Sequence, residues 1–280
     1  MNNYKLCVLD MDGTMLASDH SIPVKNIEAI GRLAERGISV VVATGRMDIM
    51  IKSYIKQMKL DLPVISCNGG MIRRLGENNP IAEFPIDADK VLGFINACRA
   101  AGVSFSLYGR HSMFTEKLDG RALFFHEYNK TLPDDEKIDI QVVPSCRALV
   151  ENGMPIIKGV LYTDDYEALE TVRQEVDRIE GVAIVQSGKG LYDFMRAEVS
   201  KGRAVEQLAQ IMGIGREQVV AFGDNHNDIS MLKFAGLAVA MGNAEEDVKR
   251  HADFVTLTND EAGVAYAIDK LVLSENAHRI

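Results

Sequence analysis

Short apolar runs and amphipathic stretches alternate along the first part of the chain, and their periods predict its elements. Lys5 to Leu9, rich in Leu, Val and Cys, reads as a buried strand, and Gly13 with Thr14 ends it in a tight turn suited to phosphate oxygens. From Val24 to Arg36 the apolar positions Ile27, Ile30, Leu33 and Ala34 fall at helical spacing, and Gly37 closes that helix before the apolar run ISVVVAT. Met47 to Leu60 makes a second helical segment, broken by Pro63, and VISC supplies a third strand. Such alternation predicts parallel pairing through right-handed crossovers, with the first strand central. Asn68 and Gly69, between VISC and MIRR, are a type I′ hairpin signal, because both central residues of that turn need positive φ. The hairpin predicts a small β-flap beside the crevice.

Between about Asp87 and Gly190 the pattern changes. A helix from Asp87 to Ala101 precedes alternating VSFSLY, a strand at SMFT and an aromatic helix around Ala122 to Tyr128. After the polar connector TLPDDEKID come IIKGVLYT, a helix from Tyr166 to Ile179, and short strands at VAIVQ and LYDFM. This hairpin-like order predicts an α+β insertion. Strand and helix alternation then resumes, with a helix from Lys201 to Met212, the strand VVAFGD, a helix from Asp228, and short strands LAVAM and FVTL. The expected class is α/β, a Rossmann-like doubly wound parallel sheet formed by 1–85 and 191–280, with the insertion over 86–190.

Composition narrows the functional classes. At 280 residues, a core domain plus a second module is the natural expectation. A formal charge of -9 without a dense Lys/Arg cluster argues against nucleic acid as a partner, yet leaves room for a small phosphorylated substrate held by local charge. Cys7, Cys67, Cys98 and Cys146 are widely spaced with no CxxC pair, and read as reduced cysteines of a cytoplasmic protein. MNNYK has no signal-peptide pattern, no apolar run approaches membrane-spanning length, and only the polar end SENAHRI suggests disorder. Monomer and homodimer are both compatible with the chain.

Four clusters carry candidate chemistry. Asp10 and Asp12 stand two apart at the end of the first strand, where open parallel sheets bind ligands, and two such carboxylates can share a metal ion and a phosphoryl group. Alone, a DxDG turn also suits a solvated loop or a calcium loop. In VVVATGR, Thr44 offers a hydroxyl and Gly45 an unobstructed N–H, and the next helix is expected to point its positive end there; a simple helix cap is the alternative. Arg46 suits a surface salt bridge as well as a substrate contact. Lys201 opens a helix with Ser200 as its cap, where a cation is disfavoured by a few tenths to about 1 kcal/mol, so a nearby anion would explain it as readily as a solvated surface. In GDNHND, Gly223 allows close approach, and Asp224, Asn225, Asn227 and Asp228 present hard oxygen ligands suited to magnesium. His226 is the wrong type for such a metal and reads as a loop residue or a substrate neighbour.

The order DMDGT, TGR, helix-opening lysine and GDxxND resembles the haloacid dehalogenase superfamily of aspartate-nucleophile phosphatases, and the insertion resembles the type IIB cap of the Cof-like hydrolases. The resemblance spans essentially the whole chain. It implies a Mg2+-dependent phosphatase acting on sugar phosphates and related small esters, with Asp10 forming an aspartyl-phosphate and Asp12 serving as acid and then base. It implies magnesium held by Asp10, the Asp12 carbonyl and Asp224, with Asn225 nearby. Phosphate would be held by Met11, Thr44, Gly45, Lys201 and Asn227, with Asp228 and Arg46 supporting. Thr44 stands where relatives also use Ser, His226 where many carry an acid, and RAEVSKG matches loosely. In the cap, Arg110, His111, Lys117 and Arg121 could meet substrate, though surface solvation serves for each. A phosphomutase, or a signalling module phosphorylated on Asp10, is the alternative; the large cap and Asp12 argue against the latter.

Overall fold

A computed structural model describes residues 3–188 and 190–274, so the first two residues and the polar end from 275 onward lie outside the described residues. The chain forms two compact units, one comprising Met1–Gly45, Ser53–Ile81 and Ser200–Ile280, the other Arg46–Lys52 and Ala82–Val199.

The first unit is built on a parallel sheet in the order Phe254–Val255, Leu237–Ala240, Val219–Gly223, Leu6–Leu9, Ser39–Val42. Every residue of Leu6–Leu9 and Val219–Gly223 is buried, which explains why these strands read as unbroken apolar runs rather than alternating ones. The Val24–Glu35 helix buries Asn26, Ala29, Ile30 and Leu33; of the stripe set by its spacing, Ile30 and Leu33 are buried, Ile27 is half-buried and Ala34 is exposed. Its closing turn uses Gly37 at φ +72°, the conformation a glycine reaches without steric cost. A bridge between Ala43 and Ile65 carries the sheet on to Val64–Ser66, which pairs antiparallel with Met71–Arg73. The first strand is therefore interior, as its sequence predicts.

Two local expectations are corrected. The Asn-Gly hairpin is not a two-residue turn: Ser66 pairs with Met71, and Cys67, Asn68 and Gly69 all take positive φ, at 51°, 56° and 99°. The segment after Thr44 does not begin a helix at once. A 3-10 turn over Asp48–Ile51 starts with Met47 as its flanking residue, and α-helix runs only over Lys52–Met58. Thr44 is thus not a helix cap.

The second unit has a six-stranded sheet in the order Val182–Gly188, Leu191–Arg196, Lys158–Tyr162, Ser104–Tyr108, Met113–Thr115, Ile140–Val142, antiparallel except for its last pair. The helix Ala88–Ala100 packs against Tyr166–Val176 and Cys146–Glu151. Phe94 and Phe194 stack at 4.4 Å between ring centroids, a geometry worth about 0.5–1.5 kcal/mol beyond area burial. A Cβ at Gly159 would stand 2.7 Å from the Phe94 ring, so only glycine lets that ring seat on the strand. Lys158 and Asp193, alternating with these positions, form a buried ion pair at 2.9 Å. The 3-10 segment of this unit is also deeply placed, with Met47 and Ile51 fully buried. All four cysteines are buried thiols outside any disulfide, and burial pushes the Cys7, Cys98 and Cys146 thiols up, the last to about 12, which leaves those three inert. Among the described residues no helix is long and apolar enough to cross a membrane.

Candidate active site

Register brings the motifs of the first unit together. Leu9 is level with both Val42 and Phe222, so the loops carrying Asp10, Thr44 and Asp224 leave the sheet at one edge. This is the carboxyl edge, where parallel sheets place ligands. Asp10 is the first residue past its strand, and its N–H donates to the Phe222 carbonyl at 3.1 Å. The chain then turns tightly, with Thr14 N–H and Leu16 N–H both donating to the Met11 carbonyl at 3.3 and 2.9 Å. Gly13 lies at φ +78°, and a Cβ there would stand 2.3 Å from Asp224 Oδ2. The glycine of the DxDG motif thus serves both the turn and the close approach of a distant carboxylate. Thr14 Oγ1 donates to Asp224 Oδ1 at 2.8 Å, and Asn243 Nδ2 donates to the Gly13 carbonyl at 2.8 Å.

Lys201 is fully buried and bridges two carboxylates, donating to Asp10 Oδ1 and Asp228 Oδ1 at 2.6 Å each. Its position at a helix start is therefore offset by the protein's own anions, and the solvated-surface alternative is excluded. Ser200 caps the helix, accepting from the Arg203 N–H at 3.2 Å. Asp228 Oδ2 accepts from the backbone N–H groups of Asp224 and Asn225 at 2.9 and 3.0 Å, which folds GDNHND into a compact turn. Gly223 is required there, since a Cβ would lie 2.5 Å from that of Asp228.

Ligand oxygens of Asp10, Asp224 and Asp228 all lie within 4.8 Å of one another. Three carboxylates against one ammonium leave a formal excess of two negative charges in a buried place. Burial, then the charges of Asp228 and Asp224, pushes Asp10 well above the usual carboxylate range against the pull of Lys201. Burial and Asp228 likewise push Asp224 up to about 7. Burial works against the Lys201 ammonium, but Asp10 and Asp228 outweigh it and hold its pKa above the ordinary lysine value. The donor set fits a hard divalent cation, which would relieve this repulsion. Asp228 has both oxygens committed to Lys201 and to backbone N–H groups, so Asp10 and Asp224 are the carboxylates best placed to take it.

A stability prediction follows with a definite sign. Asp224 binds its proton more tightly folded than unfolded, so its contribution is greatest near pH 4 and is lost as pH rises through about 7. The thermal midpoint of metal-free wild type, measured relative to Asp224→Asn, is expected to fall from pH 5 to pH 8. Magnesium is expected to raise the wild-type midpoint more at pH 8 than at pH 5. A flat difference across that range would remove the strain assigned to Asp224.

The other candidates are distributed as follows. Asp10 and Met11 are both buried, whereas Asp12 is exposed. Thr44 is buried, its N–H donating to the Ile65 carbonyl at 2.8 Å. Gly45 is the last residue of its segment in this unit, and the buried Arg46 belongs to the second unit. Asn225 Oδ1 accepts from the His226 N–H at 2.7 Å, and Asn227 Nδ2 donates to Asn68 Oδ1 at 3.0 Å. His226 is exposed, its ring nitrogens 3.7 and 3.6 Å from Glu245 and Asp247. In the second unit Arg110 pairs with Glu83, Arg121 lies over the Phe124 and Phe125 rings, Lys117 is 3.7 Å from Asp119, and His111 is exposed. Thr14, expected in a turn suited to phosphate oxygens, instead bonds Asp224, and the sequence gives Asn68 no site role, its only signal being the turn-forming Asn-Gly pair.

The profile of the haloacid dehalogenase-like hydrolases matches residues 7–268. The chain is 31% identical to the 5-amino-6-(5-phospho-D-ribitylamino)uracil phosphatase YwtE of Bacillus subtilis, over 98% of this chain and 100% of that protein. It is 30% identical to the pyridoxal phosphate phosphatase YbhA of Escherichia coli, over 94% and 97% of the two chains. Among solved structures, a haloacid dehalogenase-like hydrolase from B. subtilis superposes with a TM-score of 0.84 at 29% identity, covering 96% of this chain and 100% of that one. The haloacid dehalogenase subclass IIB sugar phosphatase BT4131 superposes with a TM-score of 0.78 at 26% identity, over 95% and 98%. With its motifs gathered at one sheet edge and residues 7–268 matched, this chain belongs to the haloacid dehalogenase-like hydrolases.

Proposed function

We propose that the protein is a Mg2+-dependent phosphatase that hydrolyses small phosphate monoesters, sugar phosphates among them, through an aspartyl-phosphate on Asp10. The observation that carries the reading is the Lys201 ammonium fixed at 2.6 Å between Asp10 and Asp228 beside Asp224. Such a constellation holds the attacking carboxylate at a fixed point, with the Lys201 ammonium beside it, and a divalent cation offsetting the excess negative charge would let it receive a dianionic phosphoryl group. The relatives named above act on a phosphorylated ribitylaminouracil, on pyridoxal phosphate and on sugar phosphates, all small phosphate monoesters. The unit carrying Asp10 is assigned as catalytic, and the inserted unit as the cap that selects substrate.

Asp10 attacks phosphorus and the ester P–O bond breaks. Asp12, in its acid form, gives a proton to the departing alkoxide. Water then attacks the aspartyl-phosphate, its proton passes to Asp12, and the bond between Asp10 and phosphorus breaks to free inorganic phosphate. Lys201, Thr44, Asn227 and the backbone N–H groups of Met11 and Gly45 hold phosphate oxygens, while Asp228 fixes Lys201. Asp10, the Asp12 carbonyl and Asp224, with Asn225 beside them, would hold magnesium, which would supply charge neutralisation at the phosphoryl group.

Because Asp12 protonates the leaving group, Asp12→Asn is expected to lose least with activated aryl phosphates and at least tenfold more with alkyl esters, whose alkoxides depend on a proton. Equal losses across both series would remove its acid role. The reading as a whole is tested by phosphate release from sugar phosphates, nucleotides, pyridoxal phosphate and an aryl phosphate, with magnesium and with chelator. Release that depends on magnesium supports it; isomerised sugar phosphate without release would mark a mutase.

A further inference from the structure

The turn between Val64–Ser66 and Met71–Arg73 touches three segments of the site at once. Asn68 is 1% exposed and lies at φ +56°. Its N–H donates to the Thr44 carbonyl at 3.0 Å, and its Oδ1 accepts from Asn227 Nδ2 at 3.0 Å. A Cβ on the adjacent Gly69 would stand 2.4 Å from the Ser200 carbonyl, so the same turn lies directly against the cap of the Lys201 helix.

The side-chain bond matters because a terminal amide torsion is broad and has little preference of its own. Asn227 sits in the short 3-10 turn His226–Asp228, and its Oδ1 is buried with no hydrogen-bond partner among the described residues. The bond to Asn68 therefore sets which way the Asn227 amide faces, including its second N–H. Asparagine suits position 68 on two counts: it tolerates the left-handed backbone, and it carries a neutral acceptor. Glycine would meet only the first, and aspartate would bring a negative charge toward a phosphate site.

We infer that Asn68 is a positioning residue for phosphate binding, orienting the Asn227 amide through its side chain and the Thr44 segment through its backbone. The inference rests on the phosphate-holding role proposed above for Asn227 and Thr44. Asn68→Gly keeps the backbone conformation and the N–H while deleting the acceptor. With an aryl phosphate and saturating magnesium, it is expected to raise KM and the inhibition constant of inorganic phosphate together, by about tenfold, the worth of one hydrogen bond to a charged group, with a smaller change in kcat. Asn227→Ala is expected to give a similar rise, and the double variant no further rise, because both remove one interaction. Multiplying losses in the double variant, or unchanged phosphate inhibition, would overturn the role. Should Asn68→Gly not fold, Asn68→Asp, which tolerates the same backbone, is expected to weaken phosphate inhibition through its charge, and unchanged inhibition there would overturn the role equally. A wild type that releases no phosphate from any ester would overturn the phosphatase reading as well; an active wild type with multiplying losses overturns Asn68 alone.

Discussion

Asp10→Asn is expected to lower phosphate release by about four orders of magnitude or more, as loss of a nucleophile does elsewhere, while leaving the protein folded. The amide is nearly the same size and keeps an oxygen to accept from Lys201, but it cannot form the phospho-enzyme. Its effect on stability separates this residue from an ordinary buried acid. Asp10 is crowded by Asp228 and Asp224, and its proton affinity is raised by burial and by those charges. Removing its charge relieves repulsion, so the thermal midpoint of the metal-free variant is expected to equal or exceed that of wild type above pH 7. Acid-quenched protein incubated with labelled substrate should carry label in wild type and none in the variant. Substantial turnover in a clean preparation of Asp10→Asn would place the nucleophile elsewhere.

Lys201→Ala is expected to lose both activity and stability, and for one reason. The ammonium is bonded to both Asp10 and Asp228, and all three groups are buried. Deleting it leaves carboxylates without their counter-charge, a loss typically of about 3–5 kcal/mol. Urea unfolding in chelator should therefore show a lower midpoint at unchanged slope. Magnesium should recover part of that loss, because it answers the same excess charge. Lys201→Arg keeps the charge but needs more room than a fully buried position offers, and is expected to recover little activity. Wild-type stability in Lys201→Ala would mean that the two carboxylates carry a proton in place of the lysine.

These effects trace back to signals of unequal clarity in the sequence. The strands of the parallel sheet are legible because burial on both faces leaves unbroken apolar runs, and the carboxylates stand out because each follows such a run. Lys201 is legible by contradiction, a cation at a helix start whose compensation the fold then supplies. Cys146–Glu151 escaped notice because six residues are too few for a helical period to declare itself. The segment after Thr44 misled because its apolar spacing begins before its helix does, a 3-10 turn intervening. Asn68 shows in the sequence only as a turn former, since its bond to Asn227 crosses 159 residues and leaves no local trace. Local chemistry is written in the motifs, whereas the side chains that aim them are set by register and distant packing.

The chain passes between its two units at four places, since Arg46–Lys52 is gathered with Ala82–Val199 rather than with its immediate neighbours. Excising or transplanting the insertion as one continuous piece therefore leaves behind a segment whose Met47 and Ile51 have no solvent-exposed surface. A chimera that exchanges 82–199 between relatives would mate a foreign insertion with a native 46–52, two surfaces shaped by different sequences. If the inserted unit selects substrate as proposed, preference is expected to transfer only when both stretches move together, the short one being seven residues directly downstream of Gly45.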